Sequence, residues 1–318
     1  MQKDQPSVAA DVEAEPRPTV GLAVAESSKA ETAASPGSAT VDSPRLVATP
    51  VRGAVEAEPE SPALERPAAL IDRFASQGLF LFRYRSLFTV ILLPAAGFAI
   101  YQQRRLGVAP DPGLAWFLAG LGCCLLGLTV RALTLGYVPG GTSGRDTRKP
   151  RAEVLNTTGM YSITRHPIYL GNVLMLLGYT VALRVWWFPL LAVLVYWLLF
   201  ERIMAAEERY LARRFGAEFT RWAQRTPIFW PRFRSWRSPD LPFCWRSVLR
   251  REYNSVNLIA TMLVFARFAN QVLVGGMSPA HWAREDSWLL WSYAAVVAGF
   301  FVLRALRRHT RLLKPTGR

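Results

Sequence analysis

No aromatic residue occurs before Phe74. The first 70 or so positions are built mainly of Ala, Glu, Pro, Ser and Val. Such a segment cannot bury enough apolar surface to offset its chain entropy, so residues 1–70 are expected to be a disordered polar tail. The tail also lacks the basic head and apolar run of a secretory signal peptide. Cysteine is scarce: Cys123 and Cys124 are adjacent inside an apolar run and Cys244 stands alone. That spacing offers no metal site and no disulfide framework, and the adjacent pair reads as buried apolar filler. Acidic residues are in deficit as well, 23 against 38 Lys and Arg, for a formal net charge of +15. In a soluble protein this excess would suggest nucleic acid. Here the basic residues sit between apolar runs, which points instead to positive-inside topology and an anionic membrane surface.

Beyond the tail the chain is strongly apolar: 51% of all residues are hydrophobic, with Trp 11 and Phe 17. Apolar runs recur near the ~20 residues that span a bilayer. They cover about 80–101, 113–136, 168–183, 185–200, 256–274 and 287–306. Trp186, Trp187 and Pro189 mark a tight hairpin between the third and fourth. Arg267 inside the fifth either faces a bundle interior or marks a helix lying partly in the interface. The expected fold is all-α, a polytopic integral membrane helix bundle with a cytoplasmic cofactor pocket. A membrane core over 78–235 would be followed by a C-terminal extension, 236–318, with one or two further membrane helices. With six spans and both termini inside, the basic clusters fall on one side: Arg73, Arg83 and Arg85; Arg145, Arg148, Lys149, Arg151 and Arg165; the block from Arg202 to Arg251; and Arg304 to Lys314. Arg104 and Arg105 run against this rule. The expected location is a bacterial cytoplasmic membrane, with the motif regions facing the cytoplasm.

Two polar, motif-dense stretches interrupt the apolar pattern. The first, Leu155–Gly171, reads L-N-T-T-G-M-Y-S-I-T-R-H-P-I-Y-L-G. Pro167 suits the first turn of a helix, where its missing N–H costs nothing. Arg165 and His166 are thereby held at the mouth of a membrane-depth helix, an expensive place for charge and so a candidate site. A cytoplasmic anchor and a helix cap are the plainer reading of the same pair. The second stretch, F-E-R-I-M-A-A-E-E-R-Y-L-A-R-R-F-G, carries an inward stripe of Phe200, Met204, Leu211 and Phe215 at helical spacing. Glu207 and Glu208 fall where that stripe should continue, which requires cationic or hydroxyl partners. The plainer alternative is a solvated charged helix. Gly216 should end it.

Together, R-H-P-I-Y-L-G and the later E-E-x-x-L-x-x-x-F-G-x-x-F resemble the isoprenylcysteine carboxyl methyltransferase and phospholipid methyltransferase superfamily. The likeness covers about residues 110–232, including the trailing W-x-x-x-T-P at Trp222 to Pro227. It implies an integral membrane enzyme using S-adenosyl-L-methionine. By that resemblance Val154, Leu155, Asn156, Tyr161, His166, Pro167, Ile168, Tyr169 and Gly171 would wrap the cofactor, and Glu207 and Glu208 would complete its pocket. Arg165 and Arg202 would hold the acceptor. The fuller loop L-N-T-T-G-x-Y-S-I-x-R-H-P-x-Y-L-G-N is similar to a bacterial branch associated with methylating the 1-phosphate of lipid A.

Chemistry fits that implication. A sulfonium donor and an anionic oxygen cancel charge as the transition state forms, and alignment supplies much of the rest. An anionic oxygen needs no general base, so the lack of a Ser/His/Asp or Cys/His set is expected. An amine acceptor would have to lose a proton, with His166 or a glutamate as base. The expected acceptor is a membrane lipid or lipidated molecule, O-methylated on phosphate or carboxylate. Alternatives are a phospholipid N-methyltransferase, an NADPH-dependent sterol-type reductase and a non-catalytic lipid-binding protein. The reductases typically show R-H-P-N-Y then G-D, where this chain has Ile168 and Asn172. The sequence leaves the oligomeric state open.

Overall fold

Two glycine pairs bring two helix backbones into direct contact. On α3 (Ala115–Tyr137) Gly120 and Gly127 lie two turns apart; on α5 (Pro167–Val181) so do Gly171 and Gly178. A Cβ on Gly127 would meet the Gly171 carbonyl oxygen at 2.5 Å, and one on Gly120 would meet that of Gly178 at 2.7 Å. Small residues let the two backbones touch, the usual basis of helix association where hydrocarbon surrounds both.

The computed structural model describes residues 70–84, 88–108, 114–140, 142 and 152–314. Among these there is no strand. The other helices are α1 (Leu70–Tyr84), α2 (Phe88–Arg105), α4 (Met160–Ile163), α6 (Trp187–Phe215), α7 (Ala217–Arg225), α8 (Trp245–Phe268), α9 (Pro279–Glu285) and α10 (Ser287–His309). The expected tail, Arg85 and the loop cations Arg145, Arg148, Lys149 and Arg151 lie outside the described residues.

Among the described residues four helices are long and apolar enough to cross a membrane: α3, α6, α8 with its continuation to Val274, and α10. The fold is thus an all-α polytopic membrane protein. The run expected at 80–101 is divided between α1 and α2, because α1 ends at Tyr84 and α2 begins at Phe88. The run at 168–183 forms α5, which at 15 residues is shorter than the bilayer needs and lies against α3, α6 and α8. The fifth run extends back to Trp245 as one continuous helix. Its Arg267 meets an acidic partner. It donates from Nε to Asp286 at 2.9 Å, and both side chains are largely enclosed.

Leu125, Leu126, Leu190, Leu194, Leu198, Trp291 and Phe301 are exposed, an arrangement suited to lipid rather than water. Inside, Leu170, Val173, Tyr196, Phe200, Ile203 and Met204 form one core between α5 and α6. The Tyr196 and Phe200 rings stack there with centroids 3.9 Å apart. The hairpin from α5 to α6 turns through Arg184 at φ 62°, followed by Trp186 and Trp187. Gly216, at φ 51°, ends α6 and lets α7 leave in a new direction.

Candidate active site

The Arg-His-Pro turn meets the paired glutamates. His166 precedes α5 and Pro167 opens it, so the imidazole is fixed at the helix mouth. His166 Nε2 lies 3.2 Å from Glu208 Oε1, and Nδ1 lies 3.6 Å from Glu207 Oε2. Arg165 donates from Nη1 to both oxygens of Glu208, at 2.9 and 3.0 Å. The Tyr169 hydroxyl donates to Glu207 Oε1 at 2.6 Å. The two carboxylates therefore have the cationic and hydroxyl partners that burial beside an apolar stripe demands. His166 itself is buried. Burial alone would push its pKa down, but hydrogen bonding to Glu207 and Glu208 and their negative charge hold it above the ordinary value. Protonated, it balances the cluster: two carboxylates against one guanidinium and one imidazolium.

A strap from α7 holds the turn from behind. Arg165 Nε donates to the Thr226 carbonyl at 2.7 Å, and Arg165 N donates to the Pro227 carbonyl at 2.9 Å. Thr164 Oγ1 donates to the Phe229 carbonyl at 2.9 Å, and Arg232 N to that of Ile163. Trp222 Nε1 reaches the Tyr161 carbonyl at 3.1 Å. The W-x-x-x-T-P motif is thus a brace for the loop.

The other expected residues divide. Tyr169 is in the cluster, its ring roughly parallel to that of His166 at 5.7 Å. Ile168 lies half-buried on the first turn of α5. Tyr161 is held through its carbonyl by the brace. No hydrogen bond ties Val154, Leu155 or Asn156 to the cluster; Val154 is exposed and Leu155 buried. Gly171 faces α3, where a Cβ would strike the Arg131 side chain at 2.5 Å, so the structure gives it a packing role. On the first turn of α5 the His166 carbonyl accepts from the Tyr169 and Leu170 N–H groups, both at 3.1 Å. Arg202 stands apart. It donates to Gln77 Oε1 and to the Leu198 carbonyl, and its guanidinium lies 4.6 Å from the Phe74 ring centroid.

One constellation escaped the sequence reading. Arg131 on α3 grips Glu252 on α8 with Nε and Nη2, at 2.9 and 2.6 Å, and Nη1 donates to Asn172 Oδ1 at 2.5 Å. Tyr196 donates to the Tyr169 carbonyl at 3.0 Å. Arg131 was hidden inside an apolar run, and Glu252 lay in a basic stretch beyond the motifs; only their meeting in space exposes them.

Residues 116–218 match the sequence model of the phospholipid methyltransferase family. The match agrees with the resemblance of the two motifs to the isoprenylcysteine carboxyl methyltransferase and phospholipid methyltransferase superfamily. A curated relative in that superfamily is protein-S-isoprenylcysteine O-methyltransferase B of Arabidopsis thaliana, 32% identical over 124 residues, covering 36% of this chain and 61% of that protein. The chain is also similar to two bacterial proteins. The cobalt-zinc-cadmium resistance protein CzcN of Cupriavidus metallidurans is 36% identical over 83 residues, 26% of this chain and 38% of that protein. The nickel-cobalt-cadmium resistance protein NccN of Alcaligenes xylosoxydans xylosoxydans is 31% identical over 114 residues, 36% of this chain and 51% of that protein. The chain spans less than two thirds of each relative's length. No solved structure matches it. The matched segment takes in α3 to α6 and stops at the start of α7, so α8 and α10 lie beyond it.

Proposed function

We propose that this protein is an S-adenosyl-L-methionine-dependent methyltransferase acting on a membrane lipid or lipidated acceptor, by O-methylation of a phosphate or carboxylate. The observation that carries the reading is the pair Glu207 and Glu208 flanking His166 at the mouth of α5, with the Tyr169 hydroxyl on Glu207. This donor set fits the cofactor. Glu207 Oε2 has only a 3.6 Å contact to His166 and is partly exposed, so it has lone pairs for an ammonium or ribose hydroxyl. When bound, S-adenosylmethionine supplies an electrophilic methyl group on a sulfonium, and the thioether leaves as an anionic oxygen is methylated.

The residues of this chain do the rest. Glu207 holds the cation, Tyr169 fixes the rotamer of Glu207, and Arg165 fixes Glu208. Arg165 is thereby a strut for the acidic pair more than a free acceptor clamp. Arg202 suits the acceptor better. It borders a cleft of about 500 Å³ lined by Gln77, Phe80, Leu81, Leu198 and Leu199, apolar enough for a hydrocarbon chain. It lies about 8 Å along α6 from the acidic pair. Cytoplasmic orientation follows from the basic residues near Arg165 and after α6.

Radiolabelled S-adenosylmethionine incubated with membranes containing the protein should transfer label to the lipid fraction, and lipid mass spectrometry should show a species heavier by one CH₂. Absence of both would remove the methyltransferase reading.

A further inference from the structure

Three arginines with no side-chain partner among the described residues face one cavity behind the brace. Arg221 and Arg225 lie one turn apart on α7, and Arg237 comes from the segment that follows it. With Thr157 and Ser235 they border a cavity of about 640 Å³, which one carboxylate, Glu218, also lines. The wall is net positive and rich in N–H and O–H donors. Guanidinium forks match phosphate oxygens in both charge and geometry. The neighbouring surface adds a second observation. Ile228, Trp230, Phe233, Trp236 and Trp245 are all exposed, Trp230 by 75% and Phe233 by 74%. They alternate with Arg232, Arg234 and Arg237 along the chain. Aromatic side chains of this kind settle at the headgroup level of a bilayer. The segment adjoins the apolar helices: Phe229 packs edge-on against Trp197 of the α6 apolar run at 5.3 Å, and Trp245 opens the membrane-length helix α8.

We propose that this cavity binds the phosphate headgroup of an anionic phospholipid from the surrounding membrane, while the exposed aromatic residues anchor its rim in the interface. The site is separate from the acidic cluster, which lies across the Thr226–Pro227 strap, and it does not depend on the methyl-transfer reading.

The test uses the full chain in detergent, titrated with dioleoylphosphatidylglycerol or dioleoylphosphatidylcholine and read by native mass spectrometry. The anionic dioleoylphosphatidylglycerol should bind at least about tenfold more tightly. The triple variant Arg221→Gln, Arg225→Gln, Arg237→Gln should lose that preference, while Arg304→Gln, Arg308→Gln, Arg311→Gln on and after α10 should keep it. Single substitutions, each expected to cost about threefold, carry the test should the triple lose its melting transition. Equal binding of both lipids, or a preference that survives the first triple, would overturn the proposal. So would displacement of the lipid by equimolar inorganic pyrophosphate, which marks a free-phosphate site, or by S-adenosylmethionine, which assigns the cavity to the cofactor.

Discussion

Arg131 and Glu252 form a two-pronged ion pair inside the helix bundle, with the Glu252 side chain only 3% exposed. It joins α3, inside the segment that matches the family model, to α8, which lies beyond that segment. Its third donor goes to Asn172, one turn along α5 from Tyr169. A charge pair in a low-dielectric interior gives little net stability over an apolar replacement, but removing one partner strands the other. Glu252→Gln should therefore destabilise the protein by about 3–5 kcal/mol. The double variant Arg131→Met, Glu252→Leu should recover most of that loss. Thermal melts in one detergent check both. A double variant no more stable than Glu252→Gln would mean the pair acts by something other than charge compensation.

His166 makes the cluster pH-dependent. Its folded pKa lies above the unfolded value, so the stability it contributes is fully present below about pH 6.5 and is lost as pH rises through the folded pKa. The melting temperature should fall over that window, and in His166→Gln the fall should shrink. Cofactor affinity should move oppositely. A sulfonium and an imidazolium compete for the same carboxylates, so binding should tighten as His166 loses its proton. Calorimetric titration with S-adenosylmethionine between pH 6 and pH 9 reads this; an affinity that weakens with rising pH would contradict the assignment.

Tyr169→Phe removes one hydroxyl and nothing else. The 2.6 Å bond it loses ends on a carboxylate, a class worth about 1.5–3 kcal/mol. S-adenosylmethionine should bind about tenfold more weakly or worse. The melting temperature should fall by no more than about 5 °C, because the freed Glu207 is partly open to water, which recovers part of the lost bond. Glu207→Gln should lower affinity further. A Tyr169→Phe protein with wild-type affinity would show that the hydroxyl does not organise the acidic pair.

The helix periods and the two motifs were legible because apolar run length and a polar interruption are local properties of a chain. The meeting of His166 with Glu207 and Glu208 followed from the motifs' resemblance to a family, not from spacing. What stayed hidden was non-local. Arg131 sits amid leucines, and only the α3–α5–α8 contact shows why it is tolerated. Gly171 sat in the motif, yet its neighbour is Arg131. The first span was misplaced because the apolar run from 80 to 101 does not reveal the end of α1 at Tyr84. Arg202, grouped by sequence with the site, turns to α1 because residues five or six apart on a helix point to different sides.

On the proposed reading, substitution at Arg202 should separate acceptor use from cofactor binding. Its contacts, Gln77 and Phe74, are on α1, and Gly78 lies where a Cβ would meet the Arg202 backbone, so α1 is pressed onto this part of α6. Arg202→Ala opens the cleft and removes the one cation that lines it among the described residues, while leaving Glu207, Glu208 and His166 in place. Cofactor affinity should stay within about twofold, whereas the KM for the lipid acceptor should rise by about tenfold, the loss of one charge-assisted contact. Arg202→Lys should recover part of this, since it keeps the charge but not the fork. Steady-state assays varying each substrate separate the two effects. Equal loss in both would place Arg202 in the support of the whole bundle, and the cleft between α1 and α6 would no longer be the route by which the acceptor enters.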